Sequence, residues 1–101
     1  MKHTELNKAV VDFINSHPNG YAYKRVVGAN NIGEPDVTGC ILGIRIELEG
    51  KSYGDEPTPI QRKKLRLWKK AGAITGVFYE VEEAVEIIKK GLTERGIAIE
   101  T

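Results

Sequence analysis

The stretch Ile44-Arg45-Ile46-Glu47-Leu48-Glu49-Gly50-Lys51 constrains this chain more than any other. Successive side chains of a strand point to opposite faces. Ile44, Ile46 and Leu48 therefore share one face, and Arg45, Glu47, Glu49 and Lys51 share the other. The apolar face must pack on a core. Four charges in a row on the opposite face are unusual for a strand in the middle of a sheet, so that face needs partners, and its chemistry is the first place to look for function.

The neighbouring segments supply a sheet for this strand. Tyr21 to Val27 is rich in aromatic and β-branched residues and reads as a first strand. A loop through Gly28 to Gly33 follows, and Asp36 to Leu42 reads as a second strand interrupted by Gly39. Gly43 makes a tight turn into the charged strand. Ala73 to Tyr79 is a fourth.

Three helices complete the pattern. Leu6, Val10, Phe13 and Ile14 recur at helical spacing between Thr4, a candidate cap, and His17, and Pro18-Asn19-Gly20 ends that helix. Thr58-Pro59-Ile60-Gln61 opens another, with Thr58 as cap, Pro59 at the first helical position and Gln61 closing a capping box. It runs to Ala71 and stops at Gly72, with Ile60, Leu67, Trp68 and Ala71 expected as its buried stripe. A last helix runs from Val81 to about Lys90, with Val81, Ala84, Val85 and Ile88 on one side. The tail Gly96 to Thr101 is expected as an edge strand or a dimer contact. The fold class is α/β: a mixed sheet flanked by helices, its early strands a meander and its Ile44–Tyr79 unit a right-handed crossover.

Size and composition agree. A chain of 101 residues, 41% hydrophobic and 29% charged, suits one folded domain over 1–101 with one core. No apolar run approaches the roughly 20 residues needed to span a bilayer, so no membrane partner is expected. Cys40 is the only cysteine, which excludes an internal disulfide and any multi-cysteine zinc site; a cytoplasmic location is expected. The net charge of +1 conceals a segregation. Arg62, Lys63, Lys64, Arg66, Lys69 and Lys70 lie between Ile60 and Ala71 with no acid among them, while Glu80, Glu82, Glu83 and Glu86 follow soon after. The local basic element points to phosphate.

Asp36 and Glu49, on adjacent strands, suit one hard divalent cation that takes oxygen ligands and keeps several waters. The Gly50 carbonyl adds a possible oxygen. Lys51 shares the face of Glu49 and is placed to orient water or offset developing negative charge.

Gly33-Glu34-Pro35-Asp36, Glu49-Gly50-Lys51 and Pro57-Thr58-Pro59-Ile60-Gln61 together, in this order, resemble the virus-type replication-repair nuclease (VRR-NUC) domain of the PD-(D/E)xK superfamily. The resemblance covers nearly the whole chain. It implies a restriction-endonuclease-like fold and a DNA endonuclease dependent on Mg²⁺, with Mn²⁺ able to substitute. Asp36, Glu49 and the Gly50 carbonyl would hold the metal and Lys51 would assist the nucleophile. The family's acid on the first helix matches Glu5, and its glutamine near the scissile phosphate matches Gln61. Short members, mostly from phages and bacteria, are similar to dimers that cut branched DNA such as Holliday junctions, a repair substrate. That implies a homodimer in a bacterial or phage-infected cell. Lys24, Arg25, Arg62, Lys63 and Arg66 are the candidates for backbone contact. Glu47 departs from the family, which usually has an apolar or small residue there, and is expected to pair with Arg45, Lys24 or Arg25. Gly50 departs too, since β-branched residues are common between the acid and the lysine. The competing readings are a monomeric nickase or flap-type nuclease and a non-catalytic DNA-binding module of the same fold.

Overall fold

The computed structural model describes residues 2–26 and 28–98. The elements are α1 (His3–Asn15), β1 (Gly20–Lys24), a one-turn 3₁₀ segment (Ala29–Asn31), β2 (Val37–Ile41), β3 (Ile44–Gly50), α2 (Pro59–Lys70), β4 (Ile74–Phe78) and α3 (Val81–Glu94). The strands form one sheet in the order β1-β2-β3-β4. The first three pair antiparallel, and β3 pairs parallel with β4 across the α2 connection. A mixed four-stranded sheet flanked by three helices is the restriction-endonuclease-like arrangement expected from the sequence.

The register explains why β3 has its alternating pattern. Ile46 lies between Gly39 and Ile74, and Leu48 between Val37 and Gly76. These residues, with Ala22, Ile41 and Phe78, make one apolar face. Leu6, Val10 and Ile14 of α1 and Ala84, Ile88 and Leu92 of α3 pack onto it as a single buried cluster. Each fully buried Leu, Ile or Phe there contributes about 1.5–3 kcal/mol.

The opposite face is treated differently. Helix α2 contacts only β3 and β4 among the strands, and none of its residues is buried. This corrects the stripe expected from the sequence: Ile60 and Leu67 are 41% and 50% exposed and Ala71 is exposed. The reason is the surface beneath. Arg45, Glu47 and Glu49 line it, so an apolar ridge has little to pack on. Trp68 makes the contact instead, with its ring 4.3 Å from the Arg45 guanidinium.

Other boundaries moved by small amounts with identifiable causes. Helix α1 begins at His3 with no side-chain cap, so Thr4 lies inside it. Strand β1 stops at Lys24, although the Arg25 amide still donates to the Asp36 carbonyl at 2.8 Å; Val27, in the expected strand, lies outside the described residues. The α2 cap is as expected: Gln61 N–H donates to Thr58 Oγ1 at 3.3 Å, and Gln61 Oε1 accepts from Thr58 N–H at 2.9 Å. In the expected tail strand, Gly96 turns at φ 79° and the Ile97 amide folds back to the Leu92 carbonyl at 2.9 Å; 99–101 lie outside the described residues. Among the described residues no helix is long and apolar enough to cross a membrane.

The β2–β3 hairpin has two turn residues, Leu42 and Gly43, both in the left-handed region at φ 50° and 81°. Two consecutive positive φ values favour Asn-Gly, and a leucine there is strained. Replacing Leu42, which is 48% exposed, with asparagine should therefore stabilise the fold by about 1 kcal/mol. Urea denaturation of Leu42→Asn beside the parent chain measures it. Equal or lower stability would contradict the turn assignment.

Candidate active site

The charged face of β3 divides into two groups of different chemistry. Glu49 is 1% exposed and Glu47 is fully buried. Burial of carboxylates is expensive unless they are paired or hydrogen-bonded, so the partners of each define what it does.

Glu49 meets Asp36. The Asp36 amide donates to Glu49 Oε1 at 3.1 Å, and Lys51 Nζ stands 3.5 Å from Glu49 Oε2. The three residues singled out in the sequence are thus brought together. Asp36 sits in the bend before β2, behind the buried Pro35. The Glu49 carboxyl is pushed up from 4.5 to about 7, chiefly by burial and then by the negative charge of Asp36. Lys51 and the Asp36 amide pull it back only in part.

Helix α1 supplies the rest of the cluster, through His3 and Asn7 rather than the expected Glu5. His3 Nε2 lies 2.6 Å from Asp36 Oδ2, and Asn7 Nδ2 donates to the same oxygen at 3.2 Å. Glu5, expected as the helical metal ligand, is exposed and borders a separate surface groove with Thr4, Lys8, Val11 and Lys24. Residues 3 and 7 share a helix face, whereas residue 5 is turned about 200° from residue 3. A signal for this was present. His3, Asn7, Val10 and Ile14 form a continuous i, i+4, i+7, i+11 stripe, and its last two members were already assigned to the core.

Asn7 also accounts for Gly50. Asn7 is 1% exposed, and its Oδ1 is a buried acceptor with no hydrogen-bond partner. A Cβ on residue 50 would fall 2.2 Å from that oxygen. Glycine between the acid and the lysine is therefore the space that Asn7 occupies.

These groups fit a hard cation. The buried Glu49 and the partly exposed Asp36 repel one another, one amide oxygen has no donor, and a backbone carbonyl lies between Glu49 and Lys51 in the chain. Among the described residues no three His, Cys, Asp or Glu side chains gather as a metal site.

Glu47 belongs to the second group and pairs as expected. Its Oε1 accepts from Arg25 at 2.6 Å, and its Oε2 accepts from Arg45 Nε at 2.7 Å and Thr38 Oγ1 at 2.5 Å. Arg25, a candidate for DNA contact, is consequently turned inward with its side chain 13% exposed. The other candidates separate. Lys24 lies by Glu5. Arg62 bonds the Pro57 carbonyl at 3.1 Å and Glu56 at 3.3 Å. Lys63 and Arg66 are exposed on α2, without an ion pair among the described residues. Gln61 commits its Oε1 to the helix cap.

No protein-family model and no curated protein matches the sequence. Solved structures do resemble the fold. One described as a "VRR_NUC domain" superposes with a TM-score of 0.69 at 19% identity, covering 85% of this chain and 92% of the other. A second, a "VRR_NUC domain protein", gives 0.68 at 16% identity, covering 92% and 89%. The fold of this chain is that of the VRR-NUC domains.

Proposed function

We propose that this chain is a VRR-NUC nuclease domain that hydrolyses DNA phosphodiesters with Mg²⁺, or Mn²⁺ in its place. The observation that carries the reading is Asp36 against the buried Glu49 with Lys51 beside them, in a chain whose fold is that of VRR-NUC domains. A DNA-binding surface gains nothing from two carboxylates next to phosphate. A metal-dependent phosphodiesterase needs them.

Asp36, Glu49 and the Gly50 carbonyl would hold the ion, with Asn7 Oδ1 as the remaining nearby oxygen. Bound there, it would polarise a phosphate oxygen and lower the pKa of an attacking water. The protein's own groups do the rest. His3 and Asn7 fix the Asp36 carboxylate from one side, and the Asp36 amide fixes Glu49 from the other. Lys51, held by Glu49 and 17% exposed, places an ammonium where it can orient water or offset charge on the phosphate. Lys63 and Arg66, with Lys69 and Lys70 on the same helix, provide backbone contacts. The acids at the start of α3, Glu80, Glu82 and Glu83, steer DNA away from that end.

A homodimer acting on branched DNA extends this reading. One domain of this size covers little duplex, and a two-fold pair of sites suits a symmetric junction. The test is cleavage of four-way, flap, nicked and linear DNA, with and without Mg²⁺, alongside solution mass. Metal-dependent cutting preferentially of the four-way junction by a dimer is expected. A monomer that cuts only flaps or nicks would select the second enzyme reading, and binding without cutting in any metal would leave only a DNA-binding module. Lys51→Ala should lower the cleavage rate by roughly 10²-fold or more while DNA affinity changes little; normal cutting by that variant would remove Lys51 from the mechanism.

The raised Glu49 carboxyl sets a pH dependence. In the metal-free protein the folded state favours protonated Glu49, so stability is highest below about 4.5 on this group's account. It is lost as pH rises towards 7, by at most about 3 kcal/mol. Divalent metal favours the ionised form and should weaken in affinity as pH falls below 7. Melting curves from pH 5 to 8, with and without Mn²⁺, measure both. The Glu49→Gln variant should flatten its metal-free stability profile over this range; an unchanged slope would assign the dependence to another group.

A further inference from the structure

The bend that carries Asp36 follows a long loop, yet it is held at three successive residues. Trp68 Nε1 donates to Glu34 Oε1 at 2.8 Å. Arg25 donates through one guanidinium nitrogen to the Pro35 carbonyl at 2.7 Å. The Arg25 amide donates to the Asp36 carbonyl at 2.8 Å. Proline has no amide of its own, so its carbonyl is the only backbone handle at residue 35.

What holds the guanidinium is the buried Glu47 cluster. The same Arg25 nitrogen that reaches Pro35 lies 2.6 Å from Glu47 Oε1. Arg45 and Thr38 occupy the other carboxylate oxygen. Trp68 roofs both arginines, with its ring centre 4.3 Å from the Arg45 guanidinium carbon and 5.8 Å from that of Arg25. Buried ion pairs of this kind often add no more stability than apolar residues of similar volume. Positions 25, 45 and 47 could therefore be filled by apolar side chains beneath Trp68 at little loss. Only a directional donor could hold the Pro35 carbonyl.

We propose that Arg25 is a positioning residue for Asp36, and that Glu47 and Trp68 serve to keep its guanidinium on the Pro35 carbonyl. The cluster thereby sets metal affinity without touching the metal. This rests on the reading of Asp36 as a ligand. It also gives a role to Glu47, the acid that departs from the family pattern, and keeps its charge neutralised beside the Asp36–Glu49 pair.

The test is calorimetric titration of the full chain with Mn²⁺. Asp36→Asn is the control for the ligand reading and should abolish binding; unchanged binding would overturn that reading rather than the positioning role. The double variant Arg25→Gln/Glu47→Gln removes both buried charges together, so neither is left unpaired, but it loses the Pro35 clamp. It should bind Mn²⁺ about tenfold more weakly or worse, as expected for residues that orient a ligand. Its cleavage rate should return close to the parent value at saturating Mn²⁺. Arg25→Met removes the donor to Pro35 while Glu47 keeps Arg45 and Thr38; it should weaken binding in the same direction, and it decides the matter if the double variant does not fold. A folded double variant, or in its place Arg25→Met, with Mn²⁺ affinity within twofold of the parent would overturn the proposal.

Discussion

A carboxylate buried at the end of β3, Glu49, lies against a second, partly exposed one, Asp36, and the surrounding structure is arranged around that fact. Asp36 and Glu49 are joined by a backbone hydrogen bond rather than separated. The like charge and the burial drive the Glu49 carboxyl up to about 7. One lysine does not neutralise the pair. Nearby, Asn7 buries an oxygen that accepts from no donor. Under the proposed function these three features would have a common remedy in a divalent cation with some of its own water.

The arrangement explains why the sheet's two faces are so unlike. Helices α1 and α3 cover one face with aliphatic side chains and supply the core. Helix α2 lies over the charged face and touches it mainly through Trp68. It thereby keeps Lys63, Arg66, Lys69 and Lys70 outward, while Lys64 pairs with Glu34 and the helix's one aromatic anchor closes the Glu47 cluster. The single helix that contributes least to the core thus serves two ends. It offers Lys63 and Arg66 to solvent, and it ties Glu34, two residues before Asp36, to the body of the sheet.

Much of this was legible in the sequence where one local rule governed. Strand β3 has the bounds its alternation implied, and the α2 cap follows from Thr58, Pro59 and Gln61. The approach of Asp36, Glu49 and Lys51 followed from their strand positions. What was illegible depended on the rotation or surroundings of a whole element. Glu5 had the right charge, but the buried stripe of α1 turns His3 and Asn7 to Asp36. Ile60, Leu67 and Ala71 had the right hydrophobicity, but the face beneath α2 is ionic. Arg25 looked like a phosphate contact because its partner Glu47 is 22 residues away. Gly50 looked like a departure until Asn7 was seen in the space of its side chain.

Whether Asp36 and Glu49 share one divalent cation is tested directly by crystals of the protein grown with Mn²⁺. Anomalous scattering should place a single strong peak within about 2.5 Å of oxygens from both carboxylates. The peak should disappear in Asp36→Asn crystals grown the same way. A peak elsewhere on the surface, or none at saturating Mn²⁺, would contradict the assignment of this site.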